Sequence, residues 1–159
     1  MNEPTFVTLR EMKVIGIHTE TKNSTELTEE AKIAPLWNTY MTNNIGLSIP
    51  NQLKQAPTIA IYSNYENDET GKYMLTIGKE VVKTSDVPTN MVAQTIPGGR
   101  YAIFTSRKGV LPEIVFETWQ YIWQWSKENA RAFTYDFEFY DERYNDPTNC
   151  QVEIYVAMK

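Results

Sequence analysis

The stretch Ala132-Phe133-Thr134-Tyr135-Asp136-Phe137-Glu138-Phe139-Tyr140-Asp141-Glu142 alternates with period two, which predicts a strand over Thr134 to Tyr140. Phe137 and Phe139 then share one face, and Glu138 and Tyr140 the other. The centre of this strand, Phe137-Glu138-Phe139-Tyr140, lies over Ile59-Ala60-Ile61-Tyr62 in the first half of the chain. Likewise, Lys13-Val14-Ile15-Gly16-Ile17-His18-Thr19 lies over Arg100-Tyr101-Ala102-Ile103-Phe104-Thr105-Ser106. Two aligned pairs in the same order point to an internal repeat. The repeat singles out Glu138, because its counterpart is Ala60.

Working outward, each half reads strand, helix, strand, strand. In the first, Phe6 to Thr21 is expected as a long strand with an irregularity near Glu11-Met12. Thr28 is expected to open a helix carrying Leu36, Trp37, Tyr40 and Met41 at helical spacing, with regular structure beginning near Pro35. Thr58 to Tyr65 and Lys72 to Val82 follow as strands around the turn Glu66 to Gly71. In the second half, Met91 to Arg107 is a long strand bent at Pro97-Gly98-Gly99, and Pro112 to Lys127 is an amphipathic helix. A hairpin of Thr134 to Tyr140 and Cys150 to Met158 surrounds a polar, proline-containing loop. Each half alone leaves apolar faces bare. The expectation is therefore one α+β domain over 1–159, with repeat halves at about 5–83 and 90–159. The duplicated units form one curved antiparallel sheet with two main helices and pseudo-twofold symmetry.

Composition narrows the function classes. The chain has 159 residues with 42% hydrophobic and 22% charged, suited to one well-buried core. A net charge of -5 without a dense basic stripe argues against direct nucleic-acid binding and against an anionic membrane surface. No apolar run approaches the roughly 18 to 20 residues of a membrane span, and the start lacks signal-peptide character, so a cytoplasmic location is expected. One cysteine, Cys150, and one histidine, His18, leave no Cys/His cluster for zinc, and neither carries a catalytic pattern. No metal and no cofactor is expected.

Glu138 admits two readings. It either faces solvent on an amphipathic strand whose phenylalanines point to the core, or lines a concave cleft if the helices pack against the phenylalanine face. A carboxylate among aromatic rings suits a flat apolar ligand with a positive charge, which answers both the rings and the costly buried charge. Tyr62, Tyr140 and Tyr155 are expected on the same face, offering rings and hydroxyls. Trp37, Trp119 and Trp123 sit at core-compatible helix positions that also suit a cleft edge, whereas Trp125 falls off that stripe toward the surface.

Four stretches together resemble the GyrI-like effector-binding domains, which include ligand-binding domains of AraC-type and MerR-type regulators. They are Leu36-Trp37-Asn38-Thr39-Tyr40, Tyr73 to Val82, Ile96 to Phe104, and Phe137 to Tyr140 with Glu153 to Val156. The resemblance implies two strand-helix-strand-strand units with a ligand cleft where they meet. It also implies that Glu138 matches the acidic residue presented to lipophilic, cationic small molecules. No helix-turn-helix accompanies these stretches, so the expectation is a stand-alone module, with any regulatory output passing through a separate DNA-binding regulator. Two alternatives remain open. Some relatives that resemble this family are hydrolases of strained electrophilic compounds, for which Glu138 is the candidate base and Tyr140 (or Tyr155) the acid or orienting group. A protein-interaction role, as in gyrase inhibition, is the other.

Overall fold

The structure is a computed structural model that describes residues 3–141, 146 and 148–159; most of the expected proline-containing loop lies outside them. Its strands are β1 (Thr5–Leu9), β2 (Met12–Lys22), β3 (Thr58–Ser63), β4 (Lys72–Glu80), β5 (Val92–Ile96), β6 (Gly99–Thr105), β7 (Arg131–Tyr140) and β8 (Glu153–Met158). Its helices are α1 (Asn23–Glu26), α2 (Ile33–Thr42), α3 (Ile45–Ser48) and α4 (Leu111–Trp125). All eight strands form one sheet in the order β1-β6-β8-β7-β3-β4-β2-β5, and every pairing is antiparallel. Exchanging β1 to β4 with β5 to β8 reverses this order onto itself. The internal repeat is thus a pseudo-twofold, with its axis between β3 and β7, where Ala60 faces Glu138.

Both long strands expected from the sequence are broken in two. Phe6 to Thr21 divides at Arg10-Glu11: β1 pairs with β6 and β2 with β4 and β5. Met91 to Arg107 divides at Pro97-Gly98, where a proline without an N–H ends one ladder and the chain crosses to another. What reads as a bend is a change of partner that carries β5 to one edge of the sheet. Where β2 crosses β4, Gly16 and Gly78 face each other, and a Cβ on either would meet the opposite backbone carbonyl.

The sheet is buried on both faces. One face packs against the helices: Ile15, Ile17, Leu75, Ile77, Phe104, Ile154 and Val156 meet Tyr40 of α2 and Ile114, Trp119 and Ile122 of α4. On the other face Val14, Ile59, Ile61, Ile96, Tyr101, Phe137 and Ala157 form a second core. Val7 and Leu9 of β1 join Ile96 of β5 there, so the sheet curls until its two edges share apolar cover.

The helix starts correct a further expectation. Thr28 does not cap α2; its hydroxyl donates to the Thr25 carbonyl and accepts from the Glu30 amide in a turn. The first amides of α2 are held by a carboxylate from outside, Glu26, which accepts from Lys32 N at 2.8 Å and Ile33 N at 3.0 Å. A negative group at this end suits the helix dipole. Pro35 lies within the first turn, where its missing N–H costs nothing. Trp125, expected at the surface or an interface, packs on Phe104 with ring centroids 5.0 Å apart.

Candidate ligand-binding site

Glu138 sits at mid-sheet on β7, where register places it beside Ala60 of β3 and Ile154 of β8, both on the helix-facing side. The helices therefore cover the Glu138 face and not the phenylalanine face. Glu138 is 1% exposed, which excludes the solvent-facing reading. Its cost of burial is met by three donors. The Tyr140 hydroxyl donates to Oε1 at 2.5 Å, and the Trp119 Nε1–H and Tyr62 hydroxyl donate to Oε2 at 2.7 and 2.8 Å. Ala60 makes room for this cluster, because a larger side chain opposite Glu138 would compete for the same space.

Aromatic rings complete the enclosure. Trp37 of α2 sets its edge against Tyr140 at 5.0 Å, and Tyr62 packs edge-on to Trp119 at 5.3 Å and tilted to Tyr73 at 5.5 Å. Such offset and edge-on contacts let each ring's positive rim meet a neighbour's negative face. Among the described residues no basic side chain pairs with Glu138. Burial pushes the Glu138 carboxyl above its usual range, while the hydrogen bonds from Tyr140, Trp119 and Tyr62 pull part of the way back. Burial also raises the Tyr62 phenol well above its ordinary value, reinforced by the Glu138 charge, so it donates rather than ionises.

Four of the seven sequence-predicted residues meet at or beside the carboxylate through direct contact: Glu138, Tyr140, Tyr62 and Trp119. Trp37 joins through Tyr140. Two do not. Tyr155 is the register partner of Phe137 and stacks on its ring at 4.6 Å, on the opposite face of the sheet. Directly opposed residues share a face, so Tyr155 follows Phe137 and Ile154 takes the place beside Glu138. Trp123 packs at the margin of the helix-facing core with its ring against the half-exposed Phe116, away from the carboxylate.

A second buried charge went unread in the sequence. Asp136, two residues before Glu138, accepts from Arg131 Nη2 at 2.8 Å and from the Tyr65 hydroxyl at 2.6 Å, and its other oxygen accepts from the Ala157 amide at 2.9 Å. Arg131 lies over the rings of Phe133, Trp119 and Tyr65, its guanidinium carbon 4.3, 5.6 and 5.8 Å from their centroids. Burial works against the Arg131 charge, yet Asp136 beside it leaves the pKa above the ordinary value. Simple alternation puts Arg131 and Asp136 on opposite faces. A register shift between them, with Phe133 at a φ of 55°, brings them together. The strand expected from Thr134 leaves Arg131 outside it, and alternation alone gives no signal that the two residues meet.

Among the described residues no group of three or more His, Cys, Asp or Glu side chains is placed to hold a metal ion. No helix among them is long and apolar enough to cross a membrane. A recess of about 270 Å³ lies between β2 and the start of α2, lined by His18, Thr19, Lys32, Pro35, Leu36 and Thr39, and none of the three Glu138 donors borders it.

Comparison with known proteins agrees with this architecture. YobU of Bacillus subtilis, named as a transcriptional regulator, is 39% identical over 144 residues, covering 91% of this chain and 90% of its own length. The transcriptional regulator BrlR of Pseudomonas aeruginosa is 32% identical over 110 residues, which span only 40% of that longer protein. An integron cassette protein from the mobile metagenome of Vibrio cholerae superposes with a TM-score of 0.78 at 25% identity, covering 99% of this chain and 96% of that one. The structure of SAV2435 bound to tetraphenylphosphonium shares the fold with a TM-score of 0.80 at 19% identity, covering 99% of this chain and 94% of that one. The family model for Cass2, the integron-associated effector binding protein, matches residues 5–158, and the chain belongs to this family of GyrI-like effector-binding domains.

Proposed function

We propose that this effector-binding module takes lipophilic aromatic cations at Glu138, with Tyr62, Tyr140, Trp119 and Trp37 as the surrounding wall. The observation that carries the reading is a buried carboxylate whose partners are all neutral donors. Such a group keeps a desolvation cost that a cation entering beside it would offset. Rings turned toward the same point add cation–π attraction and apolar contact for a flat or propeller-shaped ligand. Tetraphenylphosphonium, bound by SAV2435, has this chemistry and is the natural first probe.

In the closed arrangement no ligand can touch Glu138 without movement of a covering side chain. Trp119 reaches the carboxylate from α4 and Trp37 packs on Tyr140 from α2, so a ligand entering from the helix side displaces them. The hydrogen-bond pattern favours a fixed counter-charge over the hydrolytic alternative. A general base needs a lone pair facing water, and here the carboxylate is buried with three neutral donors already on it.

The test is calorimetric titration with tetraphenylphosphonium and with neutral triphenylphosphine oxide, against the unaltered protein and Glu138→Gln. The cation is expected to bind the former and to lose about thirtyfold or more in the variant, the range for truncating one partner of a buried charge pair. Triphenylphosphine oxide is expected to change little. Equal loss of both compounds, or of neither, would contradict the assignment.

A further inference from the structure

Arg131 is 3% exposed, yet only one of its nitrogens has an acceptor: Nη2 bonds Asp136, while Nε and Nη1 are buried without a partner among the described residues. Charged donors in that condition are uncommon in folded proteins: the rings of Phe133, Trp119 and Tyr65 return cation–π attraction, but Nε and Nη1 give up hydration for no hydrogen bond. The guanidinium is not remote from Glu138. Trp119 lies against both, with its Nε1–H on the Glu138 carboxylate and its ring under the Arg131 guanidinium.

We propose that Arg131 is a second recognition point of the same site, and that its idle N–H groups receive a neutral hydrogen-bond acceptor carried by the cation bound at Glu138. The ligand class becomes narrower: a lipophilic aromatic cation bearing a carbonyl-type oxygen, as in an ester, amide or ketone. Neutrality of the acceptor follows from Asp136. The Arg131 charge is already balanced, so a second carboxylate would add an uncompensated negative charge in a buried setting, whereas a carbonyl oxygen adds none. Displacement of Trp119, which entry to Glu138 requires, would at the same time uncover Arg131. One indole thus screens both points.

This inference rests on the Glu138 reading, and one set of titrations separates the two. Pentyltriphenylphosphonium carries the cation alone. Its analogue whose alkyl chain ends in a methyl ester adds the acceptor, and the corresponding free acid adds an anion. With the unaltered protein the ester is expected to bind about tenfold more tightly than the alkyl compound, the worth of one net hydrogen bond to a charged donor. The free acid is expected to show no gain over the ester. Arg131→Met alone would strand Asp136, so the variant used is Arg131→Met with Asp136→Asn, which removes both charges together. In it the ester advantage should vanish while the alkyl compound keeps its affinity within about twofold, a split that a merely structural role for Arg131 would not give.

Equal affinity of ester and alkyl compounds in the unaltered protein would overturn the role of Arg131 while leaving Glu138 in place. An ester advantage that survives in the double variant would overturn it too. If no phosphonium binds, or if Glu138→Gln binds all of them as well as before, both readings fall.

Discussion

Asp136 and Glu138 lie two residues apart on β7, on the same face, both buried and both accepting a tyrosine hydroxyl. They differ in their counter-charge. Asp136 has an internal cation, Arg131, held among Phe133, Trp119 and Tyr65. Glu138 has rings and donors of the same kind and no cation among the described residues. The first has its charge balanced from within the chain. The second has neutral donors and no cation among the described residues, and on the proposed reading a ligand brings it. The comparison teaches that two buried carboxylates of one strand are met differently: Asp136 is neutralised by a cation of the chain, and Glu138, the proposed ligand contact, is hydrogen-bonded by neutral donors.

The largest test of that contrast is stability. Asp136→Asn leaves a buried guanidinium without its counter-ion and is expected to cost about 3–5 kcal/mol in urea unfolding. Glu138→Gln removes a charge that has no counter-ion among the described residues, so the same experiment should show a change under about 1 kcal/mol, or a gain. Comparable losses in the two variants would erase the distinction.

The second test is pH. Because burial raises the folded-state pKa of Glu138, the folded protein binds more protons than the unfolded chain between the ordinary glutamate value and the raised one. Its contribution to stability is therefore fully present below the ordinary value and lost as pH rises through the raised one. Glu138→Gln should lack this component, so the difference between variant and unaltered protein grows in the variant's favour across that window. A pH-independent difference would mean that Glu138 titrates normally.

Smaller effects locate the wall. Tyr140→Phe takes away the shortest of the three hydrogen bonds to the carboxylate, and a loss of about 1–3 kcal/mol in stability near neutral pH is expected. Tyr155→Phe should leave phosphonium affinity unchanged within about twofold, because that ring stacks on Phe137 across the sheet. A large effect there would place the ligand on the other face.

The residues themselves made part of this legible. The repeat indicates one antiparallel sheet with pseudo-twofold symmetry, since each half alone leaves apolar faces bare. Alternation puts Glu138 and Tyr140 on a common face, and the Ala60 counterpart marks Glu138 as the exception. Which face the helices cover was not legible. The burial of Ile59, Ala60 and Ile61 alike shows a sheet buried on both sides, for which alternation carries no inside and outside. Tyr155 is misplaced because parity between strands depends on register, which composition does not show and which here pairs Tyr155 with Phe137. Arg131 and Asp136 were missed for a related reason. A register shift spent one residue and reversed the parity between them.

The most direct measurement is the ionisation of the Glu138 carboxyl itself, followed by carbon NMR on protein labelled at glutamate carboxyls and assigned by the signal that Glu138→Gln removes. Without ligand, the carboxyl is expected to titrate above the ordinary glutamate range. With saturating tetraphenylphosphonium it is expected to fall below its ligand-free value and to stay ionised through mildly acidic pH, because the cation now supplies the missing charge. The same titration curve with and without a bound cation would contradict the claim that Glu138 is the group the ligand completes.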